Sequence, residues 1–151
     1  MIKVLIADDH PAIRLGLKRI LDAEPDMEGA DEAQDTQQAL DLASKKQYDV
    51  LLLDIDMPGR SGLDALKELR AQQPNLPVLV LSIHYEEQYA ARVLEAGGAG
   101  YLMKENAPEE LVTAIRQAHA GGKYVSPSMG ERLSTHRILP HNCGGPKSQL
   151  E

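Results

Sequence analysis

The sequence contains no phenylalanine and no tryptophan; its aromatic side chains are five tyrosines. A core made from this chain must therefore rest on Leu, Ile, Val, Ala and Met. The one cysteine, Cys143, excludes an intrachain disulfide and a cysteine metal cluster, which suits a reducing compartment. No apolar run approaches the ~20 residues that span a bilayer. Met1-Ile2-Lys3-Val4 enters a short apolar run without the layout of a signal peptide, so the expected location is the cytoplasm and no membrane partner is expected. Positive charge is scarce: 16 Lys and Arg stand against 23 Asp and Glu, for a formal net charge of −7. The basic residues form no dense run, so this chain is not expected to attract nucleic acid non-specifically. At 151 residues with 42% hydrophobic and 26% charged side chains, the composition is that of an ordinary globular domain and excludes disorder throughout.

Four short runs of branched aliphatics stand out, at residues 4–7, 50–53, 78–81 and, more weakly, 99–103. Continuous apolar runs of this length suit strands buried on both faces of a parallel sheet. A fifth segment, 28–34, is polar or small and is an edge strand if it pairs. Helical spacing falls between the runs. Ile13, Leu17, Ile20 and Leu21 share one helix face. Asp35 with Gln38 marks a helix start, and Ser61-x-x-Asp64 is a capping-box pattern. A helix over 86–96 ends at Gly97-Gly98, and Pro108-Glu109-Glu110 opens another that closes at Gly121-Gly122. Five strands alternating with five helices imply right-handed βαβ units. Residues 1–127 form the expected domain. Residues 128–151, rich in Pro, Gly, Asn, Ser and His, are expected to be a linker remnant and a disordered or non-native tail.

Polar residues sit where the apolar runs end. The first run ends in Asp8-Asp9, the second in Asp54, the third in Ser82 and the fourth in Lys104. Ligands of open α/β sheets bind at the carboxyl ends of the strands, so three carboxylates, a hydroxyl and an ammonium are expected on one rim. Carboxylates gathered in one pocket repel unless a cation joins them, and hard oxygen donors suit Mg²⁺. A cation, a Lys and a hydroxyl donor are the groups that stabilise a transferring phosphoryl group. No Ser-His or Cys-His pair is in view, which leaves a carboxylate as nucleophile.

As a set, Asp8-Asp9, Asp54 within Asp-Ile-Asp-Met-Pro-Gly, Ser82 and Lys104 resemble the receiver domain of two-component response regulators, over residues 1–122. Asp9-His10-Pro11, Leu81-Ser82-Ile83-His84, Gly100-Tyr101-Leu102-Met103-Lys104-Glu105 and Tyr124-Val125-Ser126-Pro127 look like the NarL/FixJ (LuxR-type) branch. The resemblance implies that Asp54 accepts a phosphoryl group from the histidine of a sensor kinase or a phosphotransfer protein. It implies a Mg²⁺ site set up by Asp8, Asp9, Asp54 and the backbone carbonyl of Asp56. Ser82 and Lys104 then contact the phosphoryl oxygens, and Ser82 and Tyr101 form a switch. It further implies a flavodoxin-like doubly wound sheet of strand order 2-1-3-4-5, self-phosphorylation and self-dephosphorylation as its only enzymatic chemistry, and a homodimer on phosphorylation. DNA is then read only through a C-terminal helix-turn-helix, and residues 134–151 lack the periodicity and basic clustering of one. Glu105 follows Lys104 where many receivers have proline.

The rival is a phosphohydrolase. Residues 50–53 followed by Asp54-Ile55-Asp56 resemble the Asp-x-Asp motif of haloacid-dehalogenase-type phosphatases, in which the second Asp is an acid/base. That reading leaves Asp8 and Asp9 without a role. Among the remaining residues, Asp56 either biases metal binding and water attack or is a solvated loop acid, and His84 either governs water access or is a rim residue. Ile83 either packs or, as a bulky side chain beside the pocket, slows small donors, and His10 is read as a helix-start residue beside Pro11. His136, His141 and Cys143 make a poor metal site in a Gly/Pro-rich tail.

Overall fold

The computed structural model describes residues 1–57, 61–83 and 87–125. The expected tail, His84, His136, His141, Cys143 and Ser126-Pro127 lie outside the described residues. Within them the chain alternates β1 (Ile2–Ala7), α1 (Pro11–Asp22), β2 (Met27–Ala33), α2 (Thr36–Lys45), β3 (Val50–Asp54), α3 (Gly62–Gln72), β4 (Val78–Ser82), α4 (Glu87–Glu95), β5 (Gly100–Met103), α5 (Ala107–His119) and β6 (Tyr124–Val125). A one-turn 3-10 segment, Lys104–Asn106, joins β5 to α5. The strands are parallel and ordered β2-β1-β3-β4-β5-β6. The expected five-stranded order is thus present, and a two-residue strand extends it beyond β5.

The two-faced burial follows from the sequence alternation within each run. Leu5, Ala7, Leu51, Leu53, Val78 and Val80 pack toward α2, α3 and α4. Val4, Ile6, Val50, Leu52, Leu79 and Leu81 pack toward α1 and α5. Every second residue of an apolar run thus serves one layer and its neighbour the other, which is why the central strands show no polar alternation. The polar segment anticipated as an edge strand is β2, paired only with β1. Its register breaks between Val4 and Leu5. Beside the break Gly29 donates its N–H to Asp22 (3.0 Å) and accepts at its carbonyl from Lys18 Nζ (3.0 Å), both on α1. Side chains from the helix thereby satisfy backbone groups near the irregularity.

The helix starts read from the sequence are in place. Asp35 accepts from Gln38 N at 2.8 Å, and Ser61 Oγ accepts from Asp64 N at 3.2 Å. Gly62, the first residue of α3, sits hard against the end of the β3 connection. A Cβ built there lies 2.6 Å from Ile55 Cα and 2.9 Å from the Ile55 carbonyl oxygen. Both are backbone atoms, so neither can swing away. Gly62→Ala is therefore expected to push α3 off the turn that follows Asp54, at a cost of ~1–3 kcal/mol. Urea unfolding of the variant reads this directly. An unchanged midpoint and slope shows that the contact is not tight in solution.

Candidate functional site

Strand register brings the acidic residues together. β1 and β3 are neighbours, with Ala7 opposite Leu53. Asp8 and Asp54, each one residue further on, therefore emerge side by side at the carboxyl edge. Both are sealed from solvent, Asp8 at 0% and Asp54 at 1% relative exposure. Asp9 is partly exposed beside them. On the far side of β4, Met103 pairs with Ser82, and Lys104 follows as β5 ends. Its side chain crosses the end of β4 and places Nζ 3.0 Å from Asp8 Oδ2 and 3.0 Å from Asp54 Oδ2.

Three carboxylates facing one ammonium leave the pocket with an excess of two negative charges. Lys104 Nζ, Asp8 Oδ2, Asp54 Oδ2 and Asp9 Oδ1 are all buried atoms without a directed hydrogen bond. At 3.0 Å the ammonium nevertheless pairs with both inner carboxylate oxygens, Asp8 Oδ2 and Asp54 Oδ2. Asp54 Oδ1, by contrast, accepts the backbone N–H of Asp56 at 2.9 Å, which orients the carboxylate. Burial pushes the Asp54 carboxyl above its ordinary range. The Asp56 N–H and Lys104 oppose that rise, and the Asp8 charge adds to it. For Lys104, burial works against the charged form, but the contacts to Asp54 and Asp8 outweigh it and the ammonium is held more tightly than usual. Lys104 is a cation at any physiological pH.

The donor set fits a divalent ion. Asp8, Asp9, His10 and Asp54 each offer one atom, and these atoms lie within 4.8 Å of one another. Three clustered carboxylates facing a single ammonium carry two uncancelled charges, which a hard dication such as Mg²⁺ neutralises. The Asp56 carboxylate is not among these donors. It is exposed, and its Oδ2 accepts weakly from Ile83 N at 3.4 Å. Ile83 itself is an exposed side chain rather than a packing residue.

Ser82 ends β4 next to Asp54, with 1% exposure. Tyr101 is likewise 1% exposed and meets Tyr89 of α4 edge to face, with ring centroids 6.4 Å apart at 79°. Its ring thus lies inside the layer formed with α2, α3 and α4.

Two residues to which the sequence assigned no part in the site also meet it. His10 is the N-cap residue of α1. Its backbone N–H donates to Asp8 Oδ1 (2.8 Å), and its Nδ1 lies 3.2 Å from Asp8 Oδ1 and 3.0 Å from Asp9 Oδ1. Arg14, one turn into α1, donates from Nη1 to the Asp8 carbonyl (2.6 Å) and from Nε to Glu32 Oε1 (2.9 Å). It pins the backbone that carries both aspartates. Adjacency to Asp8-Asp9 was the available signal for His10. For Arg14 it was the i+4 spacing from His10.

Comparison with known proteins follows the same lines. A family model described as the response regulator receiver domain matches residues 4–116. The response regulator GacA of Pseudomonas aeruginosa is 37% identical over 150 residues, covering 99% of this chain and 70% of GacA. The transcriptional regulatory protein DegU of Brevibacillus brevis is 40% identical over 132 residues, covering 87% of this chain but only 56% of DegU. Among solved structures, a LuxR-family two-component response regulator from Aurantimonas sp. SI85-9A1 superposes with a TM-score of 0.83 at 29% identity, covering 91% of this chain and 98% of that one.

Proposed function

Since the chain belongs to the response regulator receiver family, in its NarL/FixJ (LuxR-type) branch, we propose that it takes a phosphoryl group onto Asp54 from a histidine of a sensor kinase or phosphotransfer protein. The observation that carries this reading is the placement of one buried ammonium, Lys104 Nζ, 3.0 Å from both Asp8 and Asp54 at the edge of the sheet. In the proposed step a carboxylate oxygen of Asp54 attacks the phosphorus of a phosphohistidine. A P–O bond forms, the P–N bond breaks, and the imidazole leaves with the bonding pair and takes up a proton. The product is an acyl phosphate on Asp54.

This chain's own groups orient that step. The Asp56 N–H holds Asp54 Oδ1 and sets the rotamer. Lys104, kept protonated by its two partners, is placed to follow the new phosphoryl oxygens, and the Ser82 hydroxyl approaches from the neighbouring strand end. Asp8, Asp9 and Asp54 would hold Mg²⁺, with the Asp56 backbone carbonyl as a further oxygen donor. The ion supplies Lewis-acid neutralisation of charge on the phosphoryl oxygens. The phosphohydrolase alternative is not favoured. Its acid/base would be Asp56, whose carboxylate is exposed and turned to the Ile83 amide, and it leaves Asp8 and Asp9 idle. Intact-mass analysis with a small acyl phosphate tests the proposal. One added phosphoryl group in Mg²⁺ and none in chelator is the expected pair of results. Mg²⁺-independent labelling sinks it.

The readout is proposed to pass from Ser82 to Tyr101 and the surface between α4 and α5, toward a second copy of the chain or a DNA-binding domain. No helix of the described residues is long and apolar enough to cross a membrane. In the structure the Tyr101 ring already lies inward against Tyr89. Phosphorylation is thus expected to fix this inward position rather than create it, by drawing Ser82 toward Asp54. A coupling of ~1–3 kcal/mol corresponds to a change of about 5- to 150-fold in partner affinity. Sedimentation with and without a phosphoryl mimic, in wild type and Tyr101→Ala, reads the relay. The mimic is expected to promote association of wild type only. An equal response in both proteins removes Tyr101 from the relay.

A further inference from the structure

His10 stands at the acidic pocket without a part in the phosphoryl chemistry described above. Its side chain is 61% exposed overall, yet Nδ1 points inward, 3.0 Å from Asp9 Oδ1 and 3.2 Å from Asp8 Oδ1. Donors that share one ion at ~2.1 Å lie about 3 Å apart when adjacent in an octahedral shell, and slightly further apart in a tetrahedral one. The imidazole is thus already at ligand-to-ligand spacing from two carboxylates.

The position is held by the backbone rather than by the ring. The His10 N–H is tied to Asp8 Oδ1 at 2.8 Å, and Pro11 at the first position of α1 limits the chain immediately after it. Independently, the side chains of Asp8 and Asp54 are fully buried, and the one ammonium between their Oδ2 atoms, Lys104 Nζ at 3.0 Å from each, leaves negative charge in the pocket uncancelled.

We infer that His10 Nδ1 is a fourth donor of this cation site, giving it an affinity for borderline transition-metal ions such as Zn²⁺ beyond what its carboxylates supply. The inference rests on the cation site proposed above. Its chemistry is that of ligand softness. Imidazole nitrogen suits Zn²⁺, Ni²⁺ and Co²⁺, whereas Mg²⁺ takes oxygen ligands and retains water. Mg²⁺ can fill the position facing His10 with a water molecule and lose little. Zn²⁺ gains a nitrogen ligand there.

The test compares wild type with His10→Ala, both as the full chain. Free Mg²⁺ and free Zn²⁺ are set by chelator buffers, and binding is followed by NMR through the backbone amides of Asp9 and Asp56. These report the pocket alone, so metal held by other histidines or by Cys143 does not enter the reading. The expected result is a loss of Zn²⁺ affinity of tenfold or more in His10→Ala, with Mg²⁺ affinity changed less than about threefold. An equal loss for both ions shows that His10 merely props the aspartates, and no change for either shows that it is a bystander; each overturns the inference and leaves the Mg²⁺ site standing. If Mg²⁺ fails to move the two amides of the wild type, the cation site itself is refuted, and this inference with it.

Discussion

Asp54→Asn is expected to abolish phosphoryl incorporation and, in the same molecule, to raise thermal stability. The first effect follows from the removal of the nucleophilic oxygen. The second follows from the cost of the native carboxylate. Burial is the main influence that lifts the Asp54 carboxyl above its ordinary value of 3.8, and the charge of Asp8 adds to it. A carboxyl whose value is raised in the folded state favours its protonated form there. Destabilisation therefore sets in as pH climbs past the unfolded-state value and is complete above the folded-state one. Asparagine keeps the shape and removes the charge. Its advantage over wild type should be small near pH 3.5 and grow toward neutrality, reaching roughly 2–4 °C for each kcal/mol relieved in a chain of this size. Scanning calorimetry in chelator at two pH values, beside intact-mass analysis, measures both effects. Mg²⁺ should narrow the gap, because the ion stabilises only the charged pocket. Wild-type-like labelling, or a stability difference independent of pH, contradicts the assignment of Asp54.

Lys104→Met carries the opposite stability effect. Among the described residues the ammonium is the one positive charge placed within 3.0 Å of both Asp8 and Asp54, and its side chain is 6% exposed. Methionine conserves much of the volume, so packing changes little. What remains is a pair of buried carboxylates with their compensating charge gone. Breaking a buried pair by removing one partner costs up to about 3–5 kcal/mol, and partial protonation of Asp54 will relieve some of it. The loss should therefore be largest at neutral to alkaline pH and smaller in acid. Added Mg²⁺ should recover part of it, through binding to the folded state alone. Phosphoryl incorporation should fall by about 10²–10³-fold, the usual cost of one lost charge-stabilising donor. Urea unfolding with and without Mg²⁺ separates the two roles. A variant as stable as wild type in chelator shows that Lys104 is not the compensating charge; a variant that labels at the wild-type rate shows that it does not contact the phosphoryl group.

The two variants are expected to move stability in opposite directions because they change the same pocket's charge in opposite senses. The fold thus holds the Asp54 carboxylate in an electrostatically costly setting, as functional sites commonly do. Gly62 adds a steric counterpart, since α3 can begin where it does only without a Cβ.

Much of this was legible along the chain because each inference depended on neighbours in sequence. Apolar runs at 4–7, 50–53 and 78–81 announce two-sided burial whatever their partners. The Asp35 and Ser61 caps act within one helical turn. Strand ends followed by Asp8-Asp9, Asp54, Ser82 and Lys104 place carboxylates, a hydroxyl and an ammonium at one edge, because a parallel sheet exposes all its carboxyl ends on one side. Local pattern could not decide matters that depend on register and on the reach of side chains. The pairing of Ala7 with Leu53 makes Asp8 and Asp54 neighbours, and the path of Lys104 across the end of β4 lets one ammonium serve both. The inward ring of Tyr101 depends on Tyr89, twelve residues earlier and on another element. His10 reads as a helix-start residue in sequence, and it is one; only the turn of the chain between β1 and α1 aims its Nδ1 back at Asp8 and Asp9. The sequence by itself determined which residues are buried and which chemical groups stand at the strand ends, because hydrophobic periodicity and capping are local. Tertiary structure decided which of those groups touch, because contact at 3 Å is set by strand order and register over separations of up to 96 residues, as between Asp8 and Lys104.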